Sequence, residues 1–212
     1  LVYHLTGFAL LLGTVSFLNH LPPFLLAPIA AVYPDRWTRH KTLLVTQFLS
    51  MLQALILAIL VLFNWVEVWH IIILGATLGT INAFDTPVRQ TFVRDIVTDP
   101  KDFPSAIALN SSLMNGARII GPSIAGILIS WIGEGMCFLI NGLSYIGVLW
   151  ALKAMDAPTY KPATTQRKVW EDLVEGSRYT YKDPLIRNIL ILLSIVILMG
   201  TSYTTLMPAV AS

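Results

Sequence analysis

A dense group of charged side chains lies in YPDRWTRHK, residues 33–41, between two long apolar runs. Asp35, Arg36 and Arg39 place one carboxylate and two guanidinium groups close together in the chain. Charges at a junction between apolar segments are partly removed from water, so they need partners of opposite charge. Such a cluster can form ion pairs that break and re-form when helices move, or it can simply set the orientation of the chain in a membrane.

A second acid–base pair occurs further along the chain, in GTINAFDTPVRQTFV. Asp85 and Arg89 are four residues apart, which is about one turn of an α-helix, and Asn82 lies on the same face. The spacing predicts a polar face on a helix that is otherwise apolar.

Arg118 is the basic residue furthest inside an apolar run. It lies about 14 residues into that run, roughly 21 Å along a helix, so its guanidinium falls within the hydrocarbon region of a membrane. A charge at that depth must face protein or a water-filled cavity. Asn115 and Pro122 share its helical face. Two interpretations follow: a cavity arginine that attracts an anionic or polar substrate or an ion partner, and a structural pair with Asp85 or a backbone carbonyl.

Polar side chains also form helical stripes in other apolar runs. Thr46, Ser50 and Gln53 lie on one face of one run, and His20 lies in another. A bundle with a wet interior needs such stripes turned inward, whereas ordinary hydrogen bonds between membrane helices contribute about 0.6 kcal/mol each. His20 could exchange protons or bond to a neighbouring helix. The candidates for a cavity are therefore His20, Thr46, Ser50, Gln53, Asn82, Asn115 and Arg118.

The elements that carry these side chains are long and apolar. The mean hydropathy is +0.69 and 12% of the 212 residues are charged, against about 25% in soluble domains. A membrane helix needs about 20 apolar residues, and the runs are too long for barrel strands. We therefore predict an all-α polytopic membrane protein. The spans are expected at about 8–32, 42–63, 68–88, 104–130, 135–153 and 185–210.

The placement of lysine and arginine predicts how the spans are oriented. If successive spans alternate in direction, all 14 of these residues except Arg118 fall on one side, and the other side receives Glu67 and Glu134. Basic connections are retained in the cytoplasm. We expect a multi-pass protein of the plasma (cytoplasmic) membrane whose basic loops are cytoplasmic.

The long polar connection between the last two spans has an organisation of its own. It contains Pro158 and Pro162, and VWEDLVEGSRYTYK at 169–182 places apolar and aromatic residues near one face. The pattern predicts a short amphipathic helix along the membrane surface.

The charged stretch DRWTRHKTLL, which follows one apolar run and opens the next, resembles a known family signature. In the major facilitator superfamily this cytoplasmic loop reads G-x-L-A-D-R-x-G-R-[RK]. Asp35, Arg36 and Arg39 match it, whereas other residues replace its two glycines and its alanine. GTINAFDTPVRQTFV, AIALNSSLMNGARIIGPSIAGILI and FLINGLSYIGVLWALKAM are similar to the branch of enterobactin exporters and macrolide-efflux-like permeases. The resemblance covers nearly the whole chain.

This resemblance implies an order of domains. Residues 1–154 would be the N-terminal transmembrane bundle, from the tail of helix one through helix six. Residues 155–184 would be the central cytoplasmic loop with its amphipathic helix. Residues 185–212 would be helix seven, which begins the C-terminal bundle, so the superfamily bundle in this chain is expected to be incomplete and its C-terminal half missing.

The resemblance also implies roles for particular residues. Asp35, Arg36 and Arg39 would form a charge network with the other half of the transporter and with an acid at the cytoplasmic end of helix four. That acid maps to Asp85, beside Arg89. That network would latch the outward-facing state. In the superfamily a glycine–proline motif in helix five is associated with antiporters, and the motif here is Gly121, Pro122 and Gly126. Its other interpretation is a packing kink, since proline bends a helix and small residues allow close approach.

The function implied is that of a secondary active transporter that exports a siderophore or a drug-like small molecule by alternating access and is coupled to protons. Its expected partners are the substrate, the lipid bilayer, protons and the missing C-terminal half, with no nucleic acid, cofactor or metal. The alternatives are a membrane-embedded enzyme and the membrane domain of another transport system. The chain shows no G-x-S-x-G, H-E-x-x-H or Walker sequence, so no catalytic residue is predicted.

Overall fold

The computed structural model describes residues 17–18, 20–26, 30, 38–97, 99–155 and 169–196, and the regular secondary structure in these ranges is helical. Helix α1 is Arg39–Leu62, α2 is Val68–Ile96, a 3₁₀ turn is Pro100–Asp102, and α3 is Phe103–Ala154. These belong to one compact unit. In a second unit, α4 is Val169–Lys182 and α5 is Pro184–Val196.

The buried face of α1 is largely polar and its outer face is apolar. Phe48, Leu52 and Ile56 are exposed. A surface helix in water shows the reverse pattern, because apolar side chains turn away from water. Lipid tails are as apolar as leucine, so a membrane accommodates this arrangement. The buried residues recur at helical spacing and are Thr42, Leu43, Thr46, Gln47, Ser50, Gln53, Ala54 and Ala58.

Helix α1 packs antiparallel to the C-terminal part of α3. At one end of the bundle, a Cβ added to Gly135 would lie 2.8 Å from Leu62 Cδ2. At the other end, His40 Nε2 donates a hydrogen bond to the carbonyl oxygen of Leu152 over 2.7 Å. The end of α1 is therefore beside the middle of α3, and the start of α1 is beside the end of α3.

Helix α3 consists of two limbs that meet at Gly133. This residue has φ 78° and ψ 167°, a region of backbone space that is essentially restricted to glycine. The first limb, 103–132, starts shortly after the end of α2, and the second limb, 134–154, starts beside Leu62 and returns along α1. The chain therefore reverses direction at Gly133.

A small apolar cluster joins three of these elements near the start of α1. Leu43, Val88 and Phe92 are buried against one another, and Leu152 packs on them. The ring of His40 lies 6.1 Å from the ring of Phe92, measured between centroids. The cluster holds α1, α2 and the second limb of α3 together at the end of the bundle where the charged residues lie.

Three helices in the described residues are long and apolar enough to cross a membrane: Arg39–Leu62, Val68–Val93 and Pro100–Ala154. The reversal at Gly133 divides Pro100–Ala154 into two spans, at the point where the sequence predicts the boundary between spans 104–130 and 135–153. The prediction of an all-α polytopic membrane protein is confirmed.

Helix α2 is longer than its apolar run. Hydropathy places the end of the span at residue 88, whereas the helix continues to Ile96. Hydropathy identifies the part of a helix that lies in the hydrocarbon region of a membrane. It does not identify the residue at which the helical backbone hydrogen bonds end. The last two turns of α2 thus present charged residues on a continuous helix.

In the second unit, α4 coincides with the segment 169–182 for which the sequence predicts a short helix. Asp183 precedes Pro184 at the start of α5, and its Oδ1 accepts a hydrogen bond from Leu185 N over 2.9 Å. An aspartate followed by proline is a typical helix start, because the aspartate satisfies a free N–H and proline has none to satisfy.

Some of the predictions lie outside the described residues. These are the tail of helix one, Asp35, Arg36, residues 156–168 of the central loop, and residues 197–210 of the last span.

Candidate functional site

Asp85 is the centre of a hydrogen-bonded cluster between α1 and α2. Its side chain is buried and its Oδ1 accepts hydrogen bonds from Thr46 Oγ1 over 2.6 Å and from Gln47 Nε2 over 2.8 Å. Its Oδ2 pairs with the Arg89 guanidinium over 2.6 Å, one helical turn away. A carboxylate buried among apolar helices requires donors of this kind, because they replace the water that it loses on burial. The cluster joins α1 to α2 in the apolar part of the bundle.

An open cavity of about 340 Å³ lies between α2 and the first limb of α3. It contains five residues that the sequence analysis singled out: Asn82, Asp85, Arg89, Asn115 and Arg118. We refer to it below as the α2–α3 cavity. Its remaining lining residues are Thr86, Gln90, Val93, Asn110, Ser111 and Met114.

Arg118 and Asp85 line this cavity but do not pair. The Asp85 carboxylate is occupied by Arg89, Thr46 and Gln47, and no ion pair of Arg118 occurs within the described part of the chain. Pro122 has no N–H, so the carbonyl of Arg118 cannot receive the usual helical bond from four residues on. The structure thus places Arg118 on the lining of the cavity and apart from the Asp85 carboxylate.

Arg39 pairs with a different acid from the one that the resemblance indicated. Its Nη1 lies 2.6 Å from Asp95 Oδ1, and the two side chains are 12% and 16% exposed. Asp95 is on the last turn of α2, about 15 Å along the helix from Asp85. The described charges thus form two separate pairs, one at the end of the bundle and one deeper.

The other predicted cavity residues lie elsewhere. Thr46, Ser50 and Gln53 are buried in the packing around α1 and do not line the α2–α3 cavity. His20 is exposed, in the helical residues 20–26, and is also outside the cavity lining.

The glycine–proline motif lies on an unpacked part of the first limb of α3. A Cβ added to Gly121 or Gly126 would meet no described heavy atom within 4 Å. Pro122 lies inside the helix. Within the described residues, therefore, no neighbouring helix makes the close approach that these small residues allow.

Sequence reasoning missed two residues of these clusters. Gln47 directly follows the stripe residue Thr46, and its amide reaches Asp85 because the buried face of α1 is wide enough to include both. Asp95 lies beyond residue 88, where hydropathy ends the predicted span, so hydropathy did not include it. The signal that could have found it is helical spacing continued past residue 88.

The described residues also contain no group of three or more His, Cys, Asp and Glu side chains that could hold a metal ion.

Comparison with known proteins places this bundle in a class of membrane transport proteins. Residues 8–212 match the family described as transmembrane secretion effector, and the chain belongs to this family of the major facilitator superfamily. The resemblance noted from the sequence is confirmed.

One curated relative aligns over nearly the whole chain. The staphyloferrin A transporter of Staphylococcus aureus (strain NCTC 8325 / PS 47) is 29% identical over 214 residues, which cover 96% of this chain and 51% of that protein. The chain thus spans about half the length of the curated relative that it matches. No solved structure matches it.

Proposed function

We propose that this chain forms part of a secondary active transporter that exports a small molecule by alternating access. The observation that carries the proposal is the α2–α3 cavity, where Asn82, Asn115 and Arg118 line one space within an apolar helical bundle. Charged side chains are retained at membrane depth chiefly where they serve a substrate or ion pathway. Transporters built from two helical halves place substrate near the membrane midplane between helices.

The comparisons support the proposed direction of transport and the proposed type of substrate. The description of the family refers to secretion, and the name of the relative refers to transport of staphyloferrin A. We propose export of a siderophore or of another small molecule of drug-like size. Coupling to an inward proton gradient is part of the proposal, and so is location in the cytoplasmic membrane with the basic connections in the cytoplasm.

The two ion pairs are proposed to act in the conformational cycle. Arg39–Asp95 joins the start of α1 to the end of α2, and Asp85–Arg89 lies deeper beside the cavity. Pairs at helix junctions can separate in one state and re-form in the other. With Asp35 and Arg36, they would make up the cytoplasmic latch of the outward-facing state.

Reconstituted flux tests the proposed function. The full-length protein would be placed in proteoliposomes and the movement of radiolabelled siderophores and drugs measured with an imposed pH gradient and no ATP. We expect accumulation that follows the gradient and is abolished by a protonophore. Flux that requires ATP, or chemical turnover of a lipid substrate without flux, would contradict the proposal.

Thiol accessibility tests the alternating cavity independently of the cargo. In a Cys137→Ser background, Asn115→Cys should react with a membrane-impermeant maleimide from either side of the membrane. Ile119→Cys is the matched control, because Ile119 lies on the same limb, is 75% exposed and does not line the cavity. A lipid-facing thiol stays protonated and unreactive. Equal protection of both positions in every condition would show that the cavity is dry.

A further inference from the structure

Nine of the eleven residues that line the α2–α3 cavity have polar or charged side chains. Val93 and Met114 are its aliphatic members, and the lining contains no Phe, Tyr or Trp. Three of the other side chains are carboxamides of asparagine, which donate and accept hydrogen bonds. A pocket of this composition suits a hydrophilic molecule, because sites for drug-like ligands are lined mainly by hydrophobic and aromatic side chains.

The charge that the cavity presents is positive. Its lining holds two arginines and one acid, Arg89, Arg118 and Asp85. Both oxygens of Asp85 already accept hydrogen bonds and the residue is only 5% exposed, so its charge is directed toward α1 and Arg89. Arg118 has no ion pair in the described part of the chain, and the Arg89 side chain is 48% exposed. Among the described residues, Arg118 is therefore the charged member of the lining that has no ion pair.

We infer that the α2–α3 cavity binds the transported molecule through an anionic carboxylate held by Arg118, with amide hydrogen bonds from Asn82 and Asn115. The inference rests on the proposed transport function and names its substrate class: a hydrophilic organic anion that carries one or more carboxylates. A guanidinium binds a carboxylate with two parallel hydrogen bonds, which give the pair a defined geometry. The volume of about 340 Å³ is at the lower end of the range for small-molecule pockets.

The same observations disfavour an amphipathic cation. Recognition of organic cations uses aromatic faces or an available carboxylate. The cavity lining has no aromatic ring, and its one carboxylate is already bound by Thr46, Gln47 and Arg89. A cationic drug would meet Arg118 without a group to offset its charge.

Binding measurements test the inference. The full-length protein in detergent would be titrated calorimetrically with di- and tricarboxylates, tricarballylate among them, and with the neutral amide of each. We expect the acids to bind at least tenfold more tightly than their amides. Arg118→Gln should lower the affinity for the acids tenfold or more. Arg118→Lys should restore part of that affinity, because lysine retains the charge but cannot form two parallel hydrogen bonds. Asn115→Asp should also lower the affinity for the acids, because the new carboxylate repels the carboxylate of the ligand.

The matched control is Lys101→Gln, which removes the same charge from an exposed residue of the 3₁₀ turn outside the cavity lining. It should leave binding unchanged. Acids and amides that bind equally, or acids that bind Arg118→Gln as well as the native protein, would overturn the inference.

Flux in proteoliposomes separates this inference from the proposed function. Transport of ethidium that is unaffected by Arg118→Gln, without Arg118-dependent binding of any acid, would support a transporter and overturn the substrate class. Binding of acids that depends on Arg118, without flux of any compound, would support the anion site and contradict the transport function.

Discussion

Asp85 shows how a single carboxylate is accommodated in an apolar bundle. It is 5% exposed and accepts hydrogen bonds from Thr46, Gln47 and Arg89. Hydrogen bonds to charged groups contribute about 1.5–3 kcal/mol each, whereas bonds between membrane helices average about 0.6 kcal/mol. Since little water can replace a lost donor at a buried carboxylate, the bonds to Asp85 should exceed the average for membrane helices.

We predict that Thr46→Val lowers the free energy of unfolding by about 1–2 kcal/mol, because valine keeps the shape of threonine and removes one donor from Asp85. Unfolding of the detergent-solubilised protein by SDS would measure the loss. Thr77→Val is the control, since Thr77 is exposed and its hydroxyl donates to the Ile73 carbonyl of its own helix. An equal effect of the two substitutions would contradict the prediction.

The pair Arg39–Asp95 is intermediate between a surface and a buried ion pair, with side chains 12% and 16% exposed. Exposed pairs contribute about 0.2–1 kcal/mol, and removing one partner of a buried pair costs about 3–5 kcal/mol. We predict that Arg39→Gln and Asp95→Asn each lower stability by about 1–3 kcal/mol and that the double variant loses less than the sum. A double-mutant cycle measures this coupling. Strictly additive losses would show that the two residues do not act as a pair.

Among the helices, the closest packing is that between α1 and the second limb of α3. It depends on glycines: a Cβ added to Gly142 would lie 2.7 Å from Leu55 Cδ2 and 2.9 Å from Leu55 Cγ. Because Cγ is near the backbone, a change of the leucine rotamer alone does not clear the space, and the helices must separate. Small residues at such positions allow membrane helices to approach closely.

Gly142→Ala should therefore destabilise the bundle by about 1–3 kcal/mol, the usual range for an overpacked interface. Gly147→Ala on the same limb is the matched control, because a Cβ there meets nothing within 4 Å and alanine favours the helix by up to about 1 kcal/mol. Thermal unfolding in detergent would compare the two. The packing explanation fails if both alanines have the same effect.

The connections between the helices of the bundle lie at its two opposite ends. Residues 63–67 and Gly133 lie at the end where Leu62 meets Gly135, and the turn Pro100–Asp102 follows α2 at the opposite end. The basic residues cluster at the second of these ends. From the rule that basic connections stay in the cytoplasm, we propose that the first end faces the outside.

This orientation predicts a labelling pattern in intact cells. In the Cys137→Ser background of the full-length protein, Trp65→Cys should react with an impermeant maleimide added outside, and Lys101→Cys should react only after the membrane is permeabilised. Both positions are exposed in short connections, so they serve as controls for each other. Labelling of Lys101→Cys from outside would reverse the proposed orientation.

The sequence by itself determined the class of the protein and part of the lining of the α2–α3 cavity. Hydropathy is a sum over neighbouring residues, so it located the helices that can cross a membrane without reference to any contact. The family signature was readable because its residues are close together in the chain. Helical spacing also grouped Asn82 with Asp85 and Asn115 with Arg118 on common faces, since that grouping depends only on the 3.6-residue period.

The tertiary structure decided which side chains meet. Arg39 pairs with Asp95 and not with Asp85, Thr46 bonds to Asp85 and does not line the cavity, and Arg118 stays apart from that acid. These choices depend on how each helix is rotated and shifted along its neighbour. Each residue turns a helix by about 100°, so a small rotation or shift of one helix would exchange one partner for another. The sequence of a single segment does not specify that rotation or shift.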